Sequence, residues 1–366
     1  MRIPPELILV ALLLPAPILQ ANPIDCKTAA SVRERAVCTN PGLLELDRKL
    51  MAIYDRLQVQ LSPAAAAAMR SDQTSWLAWL DQVCGGQARP VQVCLGNEYH
   101  LRLTQLRAGT VAGPSPTVYT RAYFALVRNP DGKPSAAMDP GYVRASFAWP
   151  QIDRPTEQQD AWNRQVEAEI VQLADGSMPR MTDAIQKQIE AAKTAPFPSA
   201  LNGILLGWDE SSLVYSVDAA NENLISITFH LWTYNYGAAH GLDDPLTFTW
   251  WLDRGRELQA SDIFREGSGW KTALTQGSIR KLQADTRITA LWKGDELRNG
   301  VTKEVANPRA WHVSQDGLSI TFGEYGVSGY SAGEPSVHFT WQELELYVNP
   351  DLDISKLPVA IQQPAI

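Results

Sequence analysis

The sequence predicts an α+β protein in two parts: a small disulfide-stapled all-α helical bundle, then an α+β domain with a mostly antiparallel sheet. Three observations carry this. All four cysteines, Cys26, Cys38, Cys84 and Cys94, precede residue 110. Apolar residues in that stretch recur at three- and four-residue steps, the period of a helix face. Beyond it the pattern changes to alternation by two, the period of a half-buried strand.

Arg2 and the apolar run Leu7–Leu19 open the chain, and the run is shorter than the ~20 residues a membrane span needs. Leu19-Gln20-Ala21 ends in a small residue, so residues 1–21 read as a secretory signal cleaved after Ala21. Asn-Pro-Ile-Asp before Cys26 lacks the small residues of a lipoprotein signal. The expectation is a periplasmic or secreted protein with no membrane span after signal cleavage.

Residues 22–109 form the first domain. Leu43, Leu46, Leu50, Tyr54, Leu57 and Leu61 share one helical face, and Asn40-Pro41 supplies the cap and first-turn proline. Ser62-Pro63 starts a second helix that runs through the alanines 64–68, Trp76, Leu77 and Leu80 to Cys84, where Gly85-Gly86 stops it. A last helix carries Leu95, Tyr99, Leu103 and Leu106. Cysteine spacings of 12, 46 and 10 residues suit disulfides better than zinc, which prefers close ligand pairs. Four cysteines allow three pairings; proximity in sequence favours Cys26 with Cys38 and Cys84 with Cys94, each short loop contributing about 3 kcal/mol.

Residues 110–117, within the small, Gly- and Pro-bearing stretch 108–117, read as a linker. The second domain spans 118–350, with a first part to residue 200 and a second from 201, and 351–366 is a tail. Its strands are marked by Val143, Ala145 and Phe147; Ile225, Ile227, Phe229 and Leu231; Leu246, Phe248, Trp250 and Leu252; Leu318, Ile320 and Phe322; and Val337, Phe339 and Trp341. Helical patterns run through Trp162, Val166, Ile170 and Leu173 and over Lys271–Ala284.

The formal charge is −8. Residues 22–109 carry +2 and residues 110–366 carry −10, so the acidity belongs to the second domain. That argues against nucleic-acid binding, which needs a basic face, and favours a cationic partner.

Cys26, Glu34, Cys38, Leu46-Asp47, Tyr54, Gln73, Trp76-Leu77, Asp81, Cys84, Cys94-Leu95, Tyr99 and Arg102 occur in an order that resembles the LprI-type lysozyme-inhibitor family. Leu80 stands where that family has Arg. Most of these side chains read as scaffold, with Asp47 as a charge on the helix surface. In the second domain, Phe147 to Ile152, Trp162-Asn163, the run from Tyr234 to Gly241 (YNYGAAHG), Leu258, Asp262-Ile263-Phe264 and the loop FGEYGVSGYSAG (322–333) resemble the extracellular part of RsiV-type anti-sigma factors. The Gly-Gly-Ala-His of that family is Gly237-Ala238-Ala239-His240 here. The anti-sigma segment and transmembrane helix are absent, so sigma-factor control is not implied; lysozyme binding is.

The two resemblances together imply an exported lysozyme-binding protein that inhibits lysozyme by occluding its substrate cleft. The partner-binding residues would be Tyr234, Tyr236, His240, Asp243 and Asp244 of one loop and Tyr325 and Tyr330 of the other, since tyrosine with Gly and Ser makes adaptable contact loops. Should these loops fail, the contact would move to the helices around Arg102 and Tyr99. No catalytic residue, metal or cofactor is expected. Gly326-Val327-Ser328-Gly329 misses the nucleophile-elbow spacing, and His240 with Asp243 and Asp244 lies in a Gly- and Pro-bounded turn where the imidazole bonds loop backbone. Two alternatives remain: a peptidoglycan- or carbohydrate-binding or wall-modifying envelope protein, with one of Trp250-Trp251 as a stacking platform, and an envelope adaptor for an unknown partner.

Overall fold

The computed structural model describes residues 24–85, 90–108, 116–128, 142–176, 209–288 and 290–361. The expected signal, and the expected linker up to residue 115, lie outside the described residues.

Four helices make the first part: α1 (Val32–Cys38), α2 (Pro41–Gln60), α3 (Pro63–Gly85) and α4 (Val91–Ala108). Asn40 caps α2 as its sequence predicts, its Oδ1 accepting from the Gly42 and Leu43 N–H groups at 2.9 and 3.2 Å. Ser31 and Glu34 form a reciprocal capping box on α1. Leu50, Tyr54 and Leu57 of α2 meet Met69, Trp76 and Leu80 of α3 and Leu95, Tyr99 and Leu103 of α4 in one core. Disulfides join Cys26 to Cys38 and Cys84 to Cys94, the pairing that proximity favours.

Two charged residues of this part are not where the sequence suggested. Asp47 is buried: Oδ1 accepts from the Tyr99 hydroxyl at 2.9 Å and Oδ2 from the Ile24 N–H at 3.2 Å. Its partners lie 52 and 23 residues away, so no local pattern announces them. Arg102 is also buried, donating from Nε to Gln73 and from Nη1 to Gln105, and burial pulls its pKa down to about 10. Neither Arg102 nor Tyr99 is available as a contact surface.

A six-stranded sheet follows, β1 (Val118–Arg128), β2 (Tyr142–Ile152), β3 (Glu210–Ala220), β4 (Leu224–Tyr234), β5 (Leu242–Trp251) and β6 (Arg256–Glu257), in sequential order. Helix α5 (Glu157–Gly176) follows β2, and β2 and β3 are the one parallel pair among the described residues; the other ladders described in this sheet are antiparallel. After α6 (Ala260–Ile263), α7 (Trp270–Ala284) and α8 (Gly294–Val305) comes a three-stranded antiparallel sheet, β7 (Trp311–Ser314), β8 (Gly317–Thr321) and β9 (Ser336–Phe339), then α9 (Trp341–Leu344).

The large sheet is covered on both faces. Ile225, Ile227, Phe229, Phe248 and Trp250 pack with Trp162, Val166 and Ile170 of α5, whereas Leu224 and Trp251 join the core of the C-terminal part. This corrects the expectation that one of Trp250-Trp251 is free to stack on a sugar: the two point to opposite faces, each into its own core, and neither offers a platform. Between the two sheets the layer is polar. Ser226 and Thr249 pair at 2.9 Å, and His312 of β7 bonds Thr247 and Thr321 through Nε2, at 3.1 Å each, while its Nδ1 faces Asp218 at 3.2 Å.

The helices sit on β1 rather than apart from it. Asp72 of α3 binds the Arg121 guanidinium and the Ala122 N–H, Trp79 Nε1 donates to the Ala125 carbonyl, and Gln105 donates to Ser146 of β2. Residues 351–361 are likewise attached: Leu357 is buried and the Ile361 N–H donates to the Asp218 carbonyl at 2.7 Å.

Candidate partner-binding site

The loops after β4 and β8 meet, and most of the singled-out residues lie where they do. His240 stacks on Tyr330 with ring centroids 3.7 Å apart, and Tyr325 lies 6.4 Å from both rings. His240 Nδ1 is 2.8 Å from the Gly241 carbonyl, which can only accept, so Nδ1 carries the proton. The Tyr325 hydroxyl then donates to Nε2 at 3.3 Å. Tyr325 and Tyr330 remain 45% and 39% exposed, enough for each to present a ring face to a partner.

Local chemistry holds the loops in place. Gly241 touches the Trp232 indole so closely that a Cβ there would lie 2.4 Å from Nε1, which only glycine permits. Tyr325 has φ +58°, a left-handed conformation unusual for a tyrosine and of a kind that collects at binding sites. The second loop is anchored from behind: Trp292 N–H donates to the Val327 carbonyl at 2.9 Å, and Gly300 of α8 lies so near the Gly326 carbonyl that a Cβ would sit 1.9 Å from its oxygen. Ser328 is buried, in no position to act as a nucleophile.

The other tyrosines differ in role. Tyr236 turns inward, its hydroxyl donating to Glu210 at 2.8 Å beside the Arg144 guanidinium that Glu210 also binds. Tyr234 stacks on Trp232 at 5.9 Å and donates to the Ala238 carbonyl at 3.3 Å.

Asp243 does not join His240. It faces His230 of β4, whose Nδ1 is 3.6 Å from Asp243 Oδ1 and 3.6 Å from Glu334 Oε2, while its own N–H donates to Glu324 at 3.2 Å. Burial alone would lower the His230 pKa, but the carboxylates of Asp243 and Glu334 outweigh it and push it up to about 10. Burial raises the Glu324 carboxyl, and the charges of Asp243 and Glu334 raise it further. Asp244 pairs with Leu231 in the ladder; its side chain lies outside the described residues. Sequence reasoning missed His230, Glu324 and Glu334. The two glutamates lie in and just after the FGEYGVSGYSAG run, and His230 takes one of the polar positions of the β4 alternation beside Ser226 and Thr228, a histidine in a row of hydroxyls, which was the available signal.

Known proteins resemble the two parts separately. Residues 26–110 match the model of the lysozyme inhibitor LprI family, and residues 261–342 match that of DUF3298, a family described as proteins of unknown function. Lipoprotein LprI of Mycobacterium tuberculosis (strain ATCC 25618 / H37Rv) is 31% identical over 97 residues, covering 26% of this chain and 47% of that protein; the Mycobacterium bovis protein of the same name gives the same figures. The chain thus spans about half the length of the curated relatives it matches. A DUF3298 family structure from Bacteroides fragilis superposes with a TM-score of 0.46 at 16% identity, covering 66% of this chain and 97% of that one.

Proposed function

We propose that the protein binds lysozyme outside the cytoplasm and inhibits it. The match of residues 26–110 to the lysozyme inhibitor LprI family is the observation that carries this reading. Both disulfides fit an oxidising compartment, and among the described residues no helix is long and apolar enough to cross a membrane. The formal charge of −8 suits a cationic partner, since opposite charge speeds encounter. Inhibition needs no chemistry from the inhibitor. Filling the cleft where two carboxylates act on the glycosidic bond suffices, so the protein acts as a ligand and not as an enzyme.

The contact surface in this reading is the His240, Tyr325 and Tyr330 stack. Most of the LprI-type motif residues are buried or engaged within the helices, which leaves them the task of holding the module together. The test is a titration of the purified protein into muramidase assays with several lysozymes, alongside size-exclusion runs of each mixture. Saturating inhibition near equimolar protein, with a co-eluting complex, is the expected result. Full muramidase activity of every lysozyme at tenfold excess, with no complex, would overturn it.

A further inference from the structure

We propose that His230, Asp243 and Glu334 bind one divalent cation of the first transition row, of the Zn2+ or Mn2+ class. Their ligand atoms come from β4, β5 and the loop before β9, and all lie within 4.8 Å of one another. A cation about 2.1 Å from each of three tetrahedral ligands separates them by about 3.4 Å. The observed 3.6 Å from His230 Nδ1 to each carboxylate is close to that spacing, and slightly too long for a hydrogen bond.

A second observation concerns an atom outside these distances. Glu334 Oε1 is shut off from solvent and has no hydrogen-bond partner, while Asp243 Oδ1, also closed to solvent, faces His230 Nδ1 at 3.6 Å. Buried carboxylate oxygens without donors are costly, and they are what a metal ion satisfies. Charge adds to this. Asp243 and Glu334 place two carboxylates on one imidazole, and Glu324 accepts from the Asp243 N–H beside them, so even a protonated His230 leaves an excess of negative charge that a doubly charged ion cancels. One imidazole nitrogen among carboxylate oxygens selects a transition ion over Ca2+, which takes six to eight oxygens. The ion would join the two loops that carry His240, Tyr325 and Tyr330, but its binding requires no lysozyme and stands apart from the lysozyme reading.

The test uses the whole protein stripped with EDTA, titrated calorimetrically with ZnCl2, MnCl2 and CaCl2 and melted with and without each salt. One equivalent of Zn2+ or Mn2+ should bind and raise the melting temperature. Glu334→Gln and His230→Gln, each checked for native circular dichroism, should weaken that binding roughly a hundredfold; if one fails to fold, the other decides. The absence of saturable Zn2+ and Mn2+ binding would overturn the proposal. So would unchanged affinity in a folded variant, which would place the ion elsewhere, or tighter binding of Ca2+ than of both transition ions.

Discussion

In the helices, most of the residues that carry a recognisable family pattern face inward; in the loops after β4 and β8, two of the four tyrosines singled out for contact, Tyr325 and Tyr330, remain open to solvent. Tyr54, Trp76, Tyr99, Arg102 and Asp47 are all buried, whereas Tyr325 and Tyr330 are among the most exposed large apolar side chains described. The difference teaches what a sequence motif measures. The helical motif marks the residues that make its module fold, whereas the run FGEYGVSGYSAG of the second part marks side chains left on the surface.

The contrast breaks most visibly under truncation of a motif aromatic. Trp76 meets Tyr99 edge-on at 5.3 Å in the helical core, so Trp76→Ala should lower stability by about 3 to 5 kcal/mol in urea unfolding. A loss below about 1 kcal/mol would mean that the motif side chain is not scaffold.

Reduction of the disulfides tests whether the two regions stand apart. Losing either one should cost about 2 to 5 kcal/mol. Because Asp72, Trp79 and Gln105 tie the helices to β1 and β2, we expect a single transition shifted to lower denaturant. Two resolved transitions, by fluorescence and circular dichroism, would make the helices an independent unit after all.

For the exposed side, Tyr325→Ala and Tyr330→Ala should each weaken lysozyme binding by about 1 to 3 kcal/mol and leave the melting temperature nearly unchanged. Tyr236→Ala should do the reverse, since its hydroxyl is committed to Glu210. Wild-type affinity in both folded loop variants would move the contact to the outer faces of the helices.

The smallest effect belongs to Glu34, a motif residue that looks like a surface charge and acts as a cap. Backbone N–H groups of Ser31 and Ala30 hold its carboxyl below the ordinary carboxylate range, so its contribution is present at neutral pH and fades as acid protonates it. Glu34→Ala should cost about 0.5 to 1 kcal/mol at pH 7, and the difference from wild type should shrink as pH falls through the lowered folded-state value. A difference independent of pH down to pH 2, or any loss of lysozyme affinity, would contradict the capping role.

Much of the fold was legible because it is locally encoded. The Asn40-Pro41 start, the three-four periodicity of α2 to α4 and the alternation in β4, β5 and β8 each reflect contacts between near neighbours. What escaped is set by distant chain. Both tryptophans at the end of β5 are buried because separate cores cover the two faces of the sheet, and period-two reasoning assumes that one face is wet. At the site, the aromatic half was readable from tyrosine and glycine content, and the turn bond of His240 to loop backbone was foreseen. The acidic half was not. Asp243 was grouped with the histidine three residues away, and it turned instead to His230 across the ladder and to Glu334, 91 residues on.

Gly300 shows how a helix remote from the singled-out residues can fix the loop proposed for recognition. With no side chain there, α8 comes flush against the backbone of Gly326, and the loop that bears Tyr325 and Tyr330 is set before any partner arrives. A recognition loop already in its bound shape surrenders little chain entropy on docking, so its grip shows up as slow dissociation. In the proposed complex residue 300 would touch no partner, yet it would help determine how long that complex lasts.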